Sequence, residues 1–289
     1  MNDAVQVMLD RYDCQSINDY GNALKEIIQE IALLGLWRSK FFEKAAFYGG
    51  SALRILYGLD RFSEDLDFSL LDESESFSIT KYCRAVEDEL RSFNFTVEVE
   101  EKNKTRETNI DSAFTKAGTL KNMIVIDTPQ SVRKKMHSGK VMKIKLEVDT
   151  KPPGDFNTEA KYLVRPVPFS VNTYIPSHLF AGKMHAILCR SWGRRVKGRD
   201  WYDLVWYVGR EVPVGLKHLE SRMKQTGHIE TDASITKDVL KQILQERILS
   251  TDFNNAVKDV KNLLKDPSSL ELWSDEFFRS VCDKIITVQ

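Results

Sequence analysis

No stretch of this sequence stays apolar for the roughly 18 to 20 residues that a membrane-spanning helix requires, so an integral membrane protein is not expected. The start, Met1-Asn2-Asp3-Ala4, lacks a basic region followed by an apolar one. No secretory leader is read there, and a cytoplasmic location is expected. Cysteine is sparse: Cys14, Cys83, Cys189 and Cys282 lie far apart and form no Cys-x-x-Cys pair. That spacing suggests neither a disulfide framework nor a zinc-binding motif. An excess of one charge is missing too, since 42 basic side chains face 42 acidic ones. A chain coated for nonspecific DNA binding is thereby excluded, but a local basic site is not. Internal repeats and low-complexity tracts are absent. The 289 residues are 42% hydrophobic and 29% charged, as in a folded globular protein with room for two domains.

Periodicity divides the chain. Leu24, Ile27, Ile28, Ile31 and Leu34 predict a helix over 17–34, with Gly35 able to end it. Ala45–Tyr48 reads as a strand, Ala52–Tyr57 as a short helix, Leu66–Leu71 as a strand and Phe77–Arg91 as a helix. Phe95, Val97 and Val99 alternate with polar residues, and further strands are expected near 122–126 and 141–149. After Pro152-Pro153-Gly154 and a proline-punctuated stretch (Pro166, Pro168, Pro176), a helix is expected near 177–190. From there the pattern is almost wholly helical. The expected plan is an α/β (α+β) domain with a mixed sheet over 1–170 and an α-helical domain over 171–289. The helical domain is expected to complete the active-site cleft.

The densest chemical signal is Tyr48-Gly49-Gly50-Ser51-Ala52-Leu53-Arg54, followed by Arg61-Phe62-Ser63-Glu64-Asp65-Leu66-Asp67-Phe68. Gly-Gly-Ser between a strand and a helix lets backbone approach a phosphate at the N–H-rich helix start. Ser51 can cap that helix or bind phosphate. Asp65 and Asp67, two apart on a strand, share a face and form a hard-oxygen site that suits Mg²⁺. A third carboxylate is expected from 141–149, where Glu147 and Asp149 share a face. Glu147 is favoured because it lies inside the strand.

A second constellation is Ala181-Gly182-Lys183-Met184-His185-Ala186, then Arg190, then Lys197-Gly198-Arg199-Asp200-Trp201-Tyr202-Asp203-Leu204. Lys183 and Arg190 share a helix face, and so do Asp200 and Asp203. Lys183 is placed to meet a triphosphate as a compact charge. His185 reads as a packed or bridging residue, and Trp201, Tyr202, Trp206 and Tyr207 as core. Two runs without an acid, Ser131–Lys145 and Lys183–Arg199, suit a polyanion such as an RNA end.

The Gly-Gly-Ser and Asp-Leu-Asp pair resembles the nucleotidyltransferase superfamily of DNA polymerase β, the tRNA CCA-adding enzymes and the aminoglycoside nucleotidyltransferases. All four motifs, in this order and spacing over about residues 20–210, resemble the AbiEii/AbiGii toxin family, which includes the MenT enzymes. The resemblance implies a nucleotidyltransferase fold and a Mg²⁺-dependent enzyme, with two ions, using a nucleoside triphosphate. It implies a toxin that modifies the 3′ acceptor end of tRNA, blocks translation and is neutralised by an antitoxin protein. By the same resemblance Asp65, Asp67, Lys183 and Asp200 are catalytic, with Asp203 the other candidate of its pair. Gly50, Ser51, Arg54, Ser63 and Lys183 contact the nucleotide; Asp65, Asp67 and Glu147 hold metal. Asp149, Arg190 and Arg199 are further candidates. Two other readings remain open on the residues alone. One is a nucleotidyltransferase or kinase acting on a protein or small molecule; the other is a catalytically silent nucleotide- or RNA-binding module.

Overall fold

The computed structural model describes residues 2–101, 119–127, 142–191 and 196–289. Two compact units emerge, and both are discontinuous in sequence. The first comprises Met1–Gly58, Phe62–Pro152 and Glu159–Thr173; the second comprises Leu59–Arg61, Pro153–Thr158 and Tyr174–Gln289. Among the described residues, no helix is long and apolar enough to cross a membrane.

The first unit is a mixed α+β sheet with helices. Its strands are β1 (Ala45–Tyr48), β2 (Leu66–Leu70), β3 (Thr96–Glu101), β4 (Thr119–Asp127), β5 (Met142–Asp149), β6 (Thr158–Leu163) and β7 (Phe169–Tyr174). They form one sheet in the order β3-β4-β5-β2-β1-β7-β6. β2 runs antiparallel to β1 and parallel to β5, while β1 runs parallel to β7. β6 and β7 were not expected from the sequence, whose Pro166 and Pro168 read as loop punctuation. The prolines fall between the two strands, so β7 keeps every backbone donor the ladder needs. Its buried Phe169 and Val171 join the core, and the Thr173 hydroxyl donates to the Phe47 carbonyl at 2.8 Å.

Helices α1 (Asp3–Leu9), α2 (Ile17–Arg38), α3 (Gly49–Tyr57) and α4 (Thr80–Ser92) complete this unit. A capping box between Ser16 and Asp19 starts α2. Gly35 does not end it; the helix runs on to Arg38. The glycine serves packing instead, because a Cβ there would stand 2.9 Å from the Ala85 carbonyl oxygen on α4.

The buried face of α2 also carries Glu26, Gln29 and Glu30. Among the described residues Glu30 has one long ion pair, 3.8 Å from Arg165, and its Oε2 makes no hydrogen bond. Burial pushes its carboxyl up to about 7, against the pull of Arg165. The folded protein therefore binds a proton that the unfolded chain has released between roughly pH 4.3 and 7. Stability contributed by Glu30 should fall as pH rises through that window. Glu30→Gln is expected to flatten this loss, by about 2 kcal/mol on the neutral side. Urea unfolding at pH 5 and pH 7.5 checks it: equal pH slopes in variant and wild type would reject the assignment.

The second unit contains α5 (Pro176–Cys189), α6 (Gly198–Gly209), α7 (Leu216–Gln225), α8 (Lys237–Leu249), α9 (Phe253–Val260) and α10 (Asp275–Asp283). A two-residue pair, β8 (Val214–Gly215) with β9 (Thr287–Val288), supplements the expected helices. Its core is aromatic: Trp201 meets Phe253 and Phe278 edge-on, and Tyr207 stacks on Phe180 at 4.3 Å. Trp201, Trp206 and Tyr207 are therefore buried core residues rather than an exposed base-stacking platform. At Gly198 a Cβ would lie 1.8 Å from the Ala256 carbonyl oxygen, so only glycine lets α6 start against α9.

Candidate active site

In the first unit, β1 delivers the chain into α3 through Gly49-Gly50-Ser51. Gly49 adopts φ +82°, a left-handed conformation that glycine takes without steric cost. Its missing side chain matters as well: a Cβ would sit 2.6 Å from Asp67 Oδ2. The carboxylate thus packs directly against the first residue of α3, opposite Tyr48 in the β1–β2 register. Ser51 is fully buried and its hydroxyl donates to the Asp65 carbonyl. In this structure the hydroxyl holds the Asp65 backbone, and the first turn of α3 carries backbone N–H groups of the kind that suit a phosphate. The Tyr48 side chain does not cap that helix start.

Asp65 immediately precedes β2 and Asp67 lies within it, both half-buried, with Leu66 and Phe68 buried between and after them. On the neighbouring parallel strand, Glu147 stands opposite Asp67. Lys145, two residues before Glu147, places Nζ 2.5 Å from Glu147 Oε1. Burial opposes charge on this ammonium. The Glu147 carboxylate, with Asp65 and Asp67 behind it, nonetheless holds its pKa above the ordinary lysine value. Asp149 lies elsewhere on β5: it is buried, pairs in register with Ser69 and accepts from the Lys151 N–H at 3.1 Å.

The loop before β2 is anchored from α2. Gln29 Nε2 donates to the Ser63 carbonyl at 3.2 Å, and Lys25 pairs with Glu64 at 3.1 Å. Arg54 lies 2.7 Å from Glu26 and 4.5 Å above the Phe62 ring. Arg54, expected to contact nucleotide, is thus engaged in bracing this loop. Ser63 is half-buried within it. Gly49, Gln29 and Glu26 were missed from sequence. Only Gly49 left a signal there, as the first glycine of the pair.

In the second unit, Lys183 on α5 pairs with Asp200 at 2.7 Å and Asp203 at 2.8 Å on α6. Arg190 reaches Asp200 at 2.9 Å. Arg61, also missed from sequence, grips Asp203 with two parallel bonds of 2.7 and 2.6 Å, and both side chains are fully buried. Burial would discharge Arg61, but Asp203 overcomes it and keeps the guanidinium firmly charged. Asp200 is likewise buried, and Lys183 and Arg190 hold its carboxyl below the usual carboxylate range. The acid-free run Lys183–Arg199 is therefore partly neutralised by residues beyond it. Its Arg194 and Arg195, and Arg133, Lys134, Lys135 and Lys140 of the other run, lie outside the described residues. Arg199 is half-buried near the start of α6.

The Gly49–Asp67 contact makes a prediction. Gly49→Ala should displace the carboxylate and lower turnover by at least about 100-fold, the cost of roughly 1 Å of misplacement. Gly58→Ala is the control: its φ is +75°, yet an added Cβ meets nothing within 4 Å. It should cost about 1 kcal/mol of stability and spare activity. Similar activity in the two variants, each with its melting temperature measured, would reject the role given to Gly49.

The family described as "Nucleotidyl transferase AbiEii toxin, Type IV TA system" matches residues 31–277. No curated protein matches the chain. Among solved structures, JHP933 from Helicobacter pylori is 17% identical over 91% of this chain and 88% of that one, with a TM-score of 0.50. A second H. pylori protein, described as a candidate nucleotidyltransferase, is 17% identical over 88% of each chain with a TM-score of 0.46. At such identity, the likeness to JHP933 speaks for the fold alone.

Proposed function

This chain belongs to the AbiEii nucleotidyl transferase toxin family of type IV toxin–antitoxin systems, and from that premise we propose a divalent-metal-dependent transfer of a nucleotidyl group to the 3′ acceptor end of tRNA. The family makes it a nucleotidyltransferase, with a nucleoside triphosphate as substrate and an antitoxin as partner. The observation that carries the reading is the placement of Asp67 opposite Glu147 on adjacent parallel strands, two residues after Asp65 and against the Gly49 start of α3.

These three carboxylates fit a hard divalent cation such as Mg²⁺: the donors are all oxygen, Asp67 and Glu147 face one another in register, and Glu147 already pairs with the Lys145 ammonium. Asp65, Asp67 and Glu147 would hold two such ions, which when bound supply charge neutralisation at the α-phosphate and acidify the attacking hydroxyl. The chain's own residues do the positioning. Ser51 fixes the Asp65 backbone, and Gly49 leaves room for the Asp67 carboxylate. Gly50 and Ser51 N–H groups donate to a phosphate at the positive end of α3. Gln29 and Arg54 brace the intervening loop. In the second unit, Lys183, Asp200 and Asp203 form the family's other functional cluster, with Arg61 and Arg190 holding the aspartates. An acceptor hydroxyl attacks the α-phosphorus, and pyrophosphate leaves.

The basic residues favour RNA as the acceptor. Lys143 is exposed on β5, and Arg190 and Arg199 are part-exposed around α6. The test is label transfer from each of the four α-labelled nucleoside triphosphates to total tRNA in the presence of Mg²⁺. Label at the tRNA 3′ end supports the proposal and identifies the nucleotide. With folded protein and intact tRNA, absence of label would reject the tRNA acceptor and turn attention to protein and small-molecule acceptors.

A further inference from the structure

Among the described residues, one group of three or more histidine, cysteine or carboxylate ligand atoms lies entirely within 4.8 Å of one another, and it is not the acidic set of the first unit. It consists of His185, Cys189 and His228. None of the three belongs to a metal-binding sequence motif, and the proposed reaction does not use them.

Local structure explains how they meet. His185 and Cys189 are four residues apart on α5, so they occupy one helix face, and both are buried. His228 arrives from the end of α7. There the Gly227 N–H bonds the Lys224 carbonyl at 3.0 Å and the His228 N–H bonds the Met223 carbonyl at 2.9 Å. These are the paired bonds of a Schellman motif, and Gly227 supplies its left-handed residue at φ +68°. The motif reverses the chain and turns His228 back toward α5, where its ring centroid is 6.0 Å from that of His185. Thr226, between helix and glycine, orients both rings: its Oγ1 is 2.9 Å from His185 Nε2 and 2.9 Å from His228 Nδ1. A hydroxyl touching a ring nitrogen of each histidine is the sort of contact that fixes the tautomer and aim of metal ligands.

We propose that His185, Cys189 and His228 form a structural site for a thiophilic borderline cation of the Zn²⁺ class, clamping α5 to the turn that follows α7. Two imidazoles and one thiolate are a zinc donor set, with a fourth, tetrahedral position open to water. Bonds of about 2.0 to 2.3 Å place tetrahedral ligand atoms roughly 3.3 to 3.8 Å apart. The triad needs a contraction of no more than about 1.5 Å to reach that spacing, and His228 approaches it from the exposed side. Binding forms the metal–sulfur bond as the Cys189 thiol loses its proton to solvent. The clamp lies two residues from Lys183 on the same helix, so it steadies the element that carries the Lys183–Asp200–Asp203 cluster.

Zinc titration of the intact chain, in excess Mg²⁺ to occupy the carboxylates of the first unit, tests this. Wild type should retain one zinc per chain after gel filtration, and its melting temperature should rise with Zn²⁺. Loss of a ligand should exceed the 10- to 100-fold typical of outer-shell partners, so His228→Ala should weaken zinc binding by more than about 100-fold. His228 is exposed, so that variant keeps its fold, verified by circular dichroism. Cobalt(II) provides a second readout: a thiolate-to-cobalt charge-transfer band should form in wild type and vanish in Cys189→Ser. Thr226→Val should weaken binding by about tenfold. Folded wild type that retains no zinc, equal retention by His228→Ala, or a cobalt–thiolate band surviving in Cys189→Ser would each overturn the proposal.

Discussion

Asp67→Asn is expected to lower nucleotidyl transfer by on the order of 10³-fold while leaving the protein folded. The amide keeps the size of the carboxylate, so the contact with Gly49 survives. What is lost is an anionic oxygen at a position flanked by both the start of α3 and Glu147 on β5. A metal's stabilisation of transition-state charge amounts to several kcal/mol, and each 1.36 kcal/mol is about tenfold in rate. Stability should move the other way. Asp65, Asp67 and Glu147 repel one another, and neutralising one relieves that repulsion. The unfolding midpoint should therefore be no lower than wild type. Lost activity with an unchanged or raised midpoint identifies a functional carboxylate. Retained transfer to any acceptor would remove Asp67 from the reaction, and lost activity with a lowered midpoint would make its role structural.

Arg61→Ala is expected to destabilise the second unit by about 3–5 kcal/mol, the usual cost of stranding a buried charge. Both Asp203 oxygens accept from this guanidinium, and neither side chain reaches solvent. Without Arg61, Asp203 keeps Lys183 at 2.8 Å, but Lys183 must also serve Asp200 at 2.7 Å. Arg61→Lys should rescue poorly, because an ammonium cannot make the parallel pair of bonds. Replacing both partners, Arg61→Met with Asp203→Leu, should recover much of the stability, since a buried ion pair is often matched by apolar residues of similar volume. Turnover should not return with it if Asp203 helps to hold Lys183. Urea midpoints and slopes of the four proteins decide the matter; a loss below about 1 kcal/mol in Arg61→Ala would show the pair to be solvent-screened.

Local chemistry was legible without a structure. Helical spacing in 17–34, strand alternation in 141–149 and the Gly-Gly-Ser to Asp-Leu-Asp order depend on near neighbours, and the elements formed there. The same local signals misled at Gly35, which reads as a stop but serves as a packing notch, and at Pro166 and Pro168, which hid two strands. Periodicity also named Glu147 and Asp149 as equals on one strand face. Only strand pairing put Glu147 opposite Asp67 and left Asp149 against the Lys151 backbone.

By itself, then, the sequence determined which residue types line up on which face of each element, and through its four motifs the family. Tertiary structure alone decided which faces meet. Arg61 and Asp203 are 142 positions apart, and no repeat or spacing links them. Gly49 meets Asp67 because β1 and β2 pair in one register, and His228 meets α5 because a glycine turn reverses α7. The physical reason is range: dihedral preference and periodicity act over a turn or two of chain. Burial, by contrast, selects charge partners and ligand sets among residues that share only a neighbourhood in space.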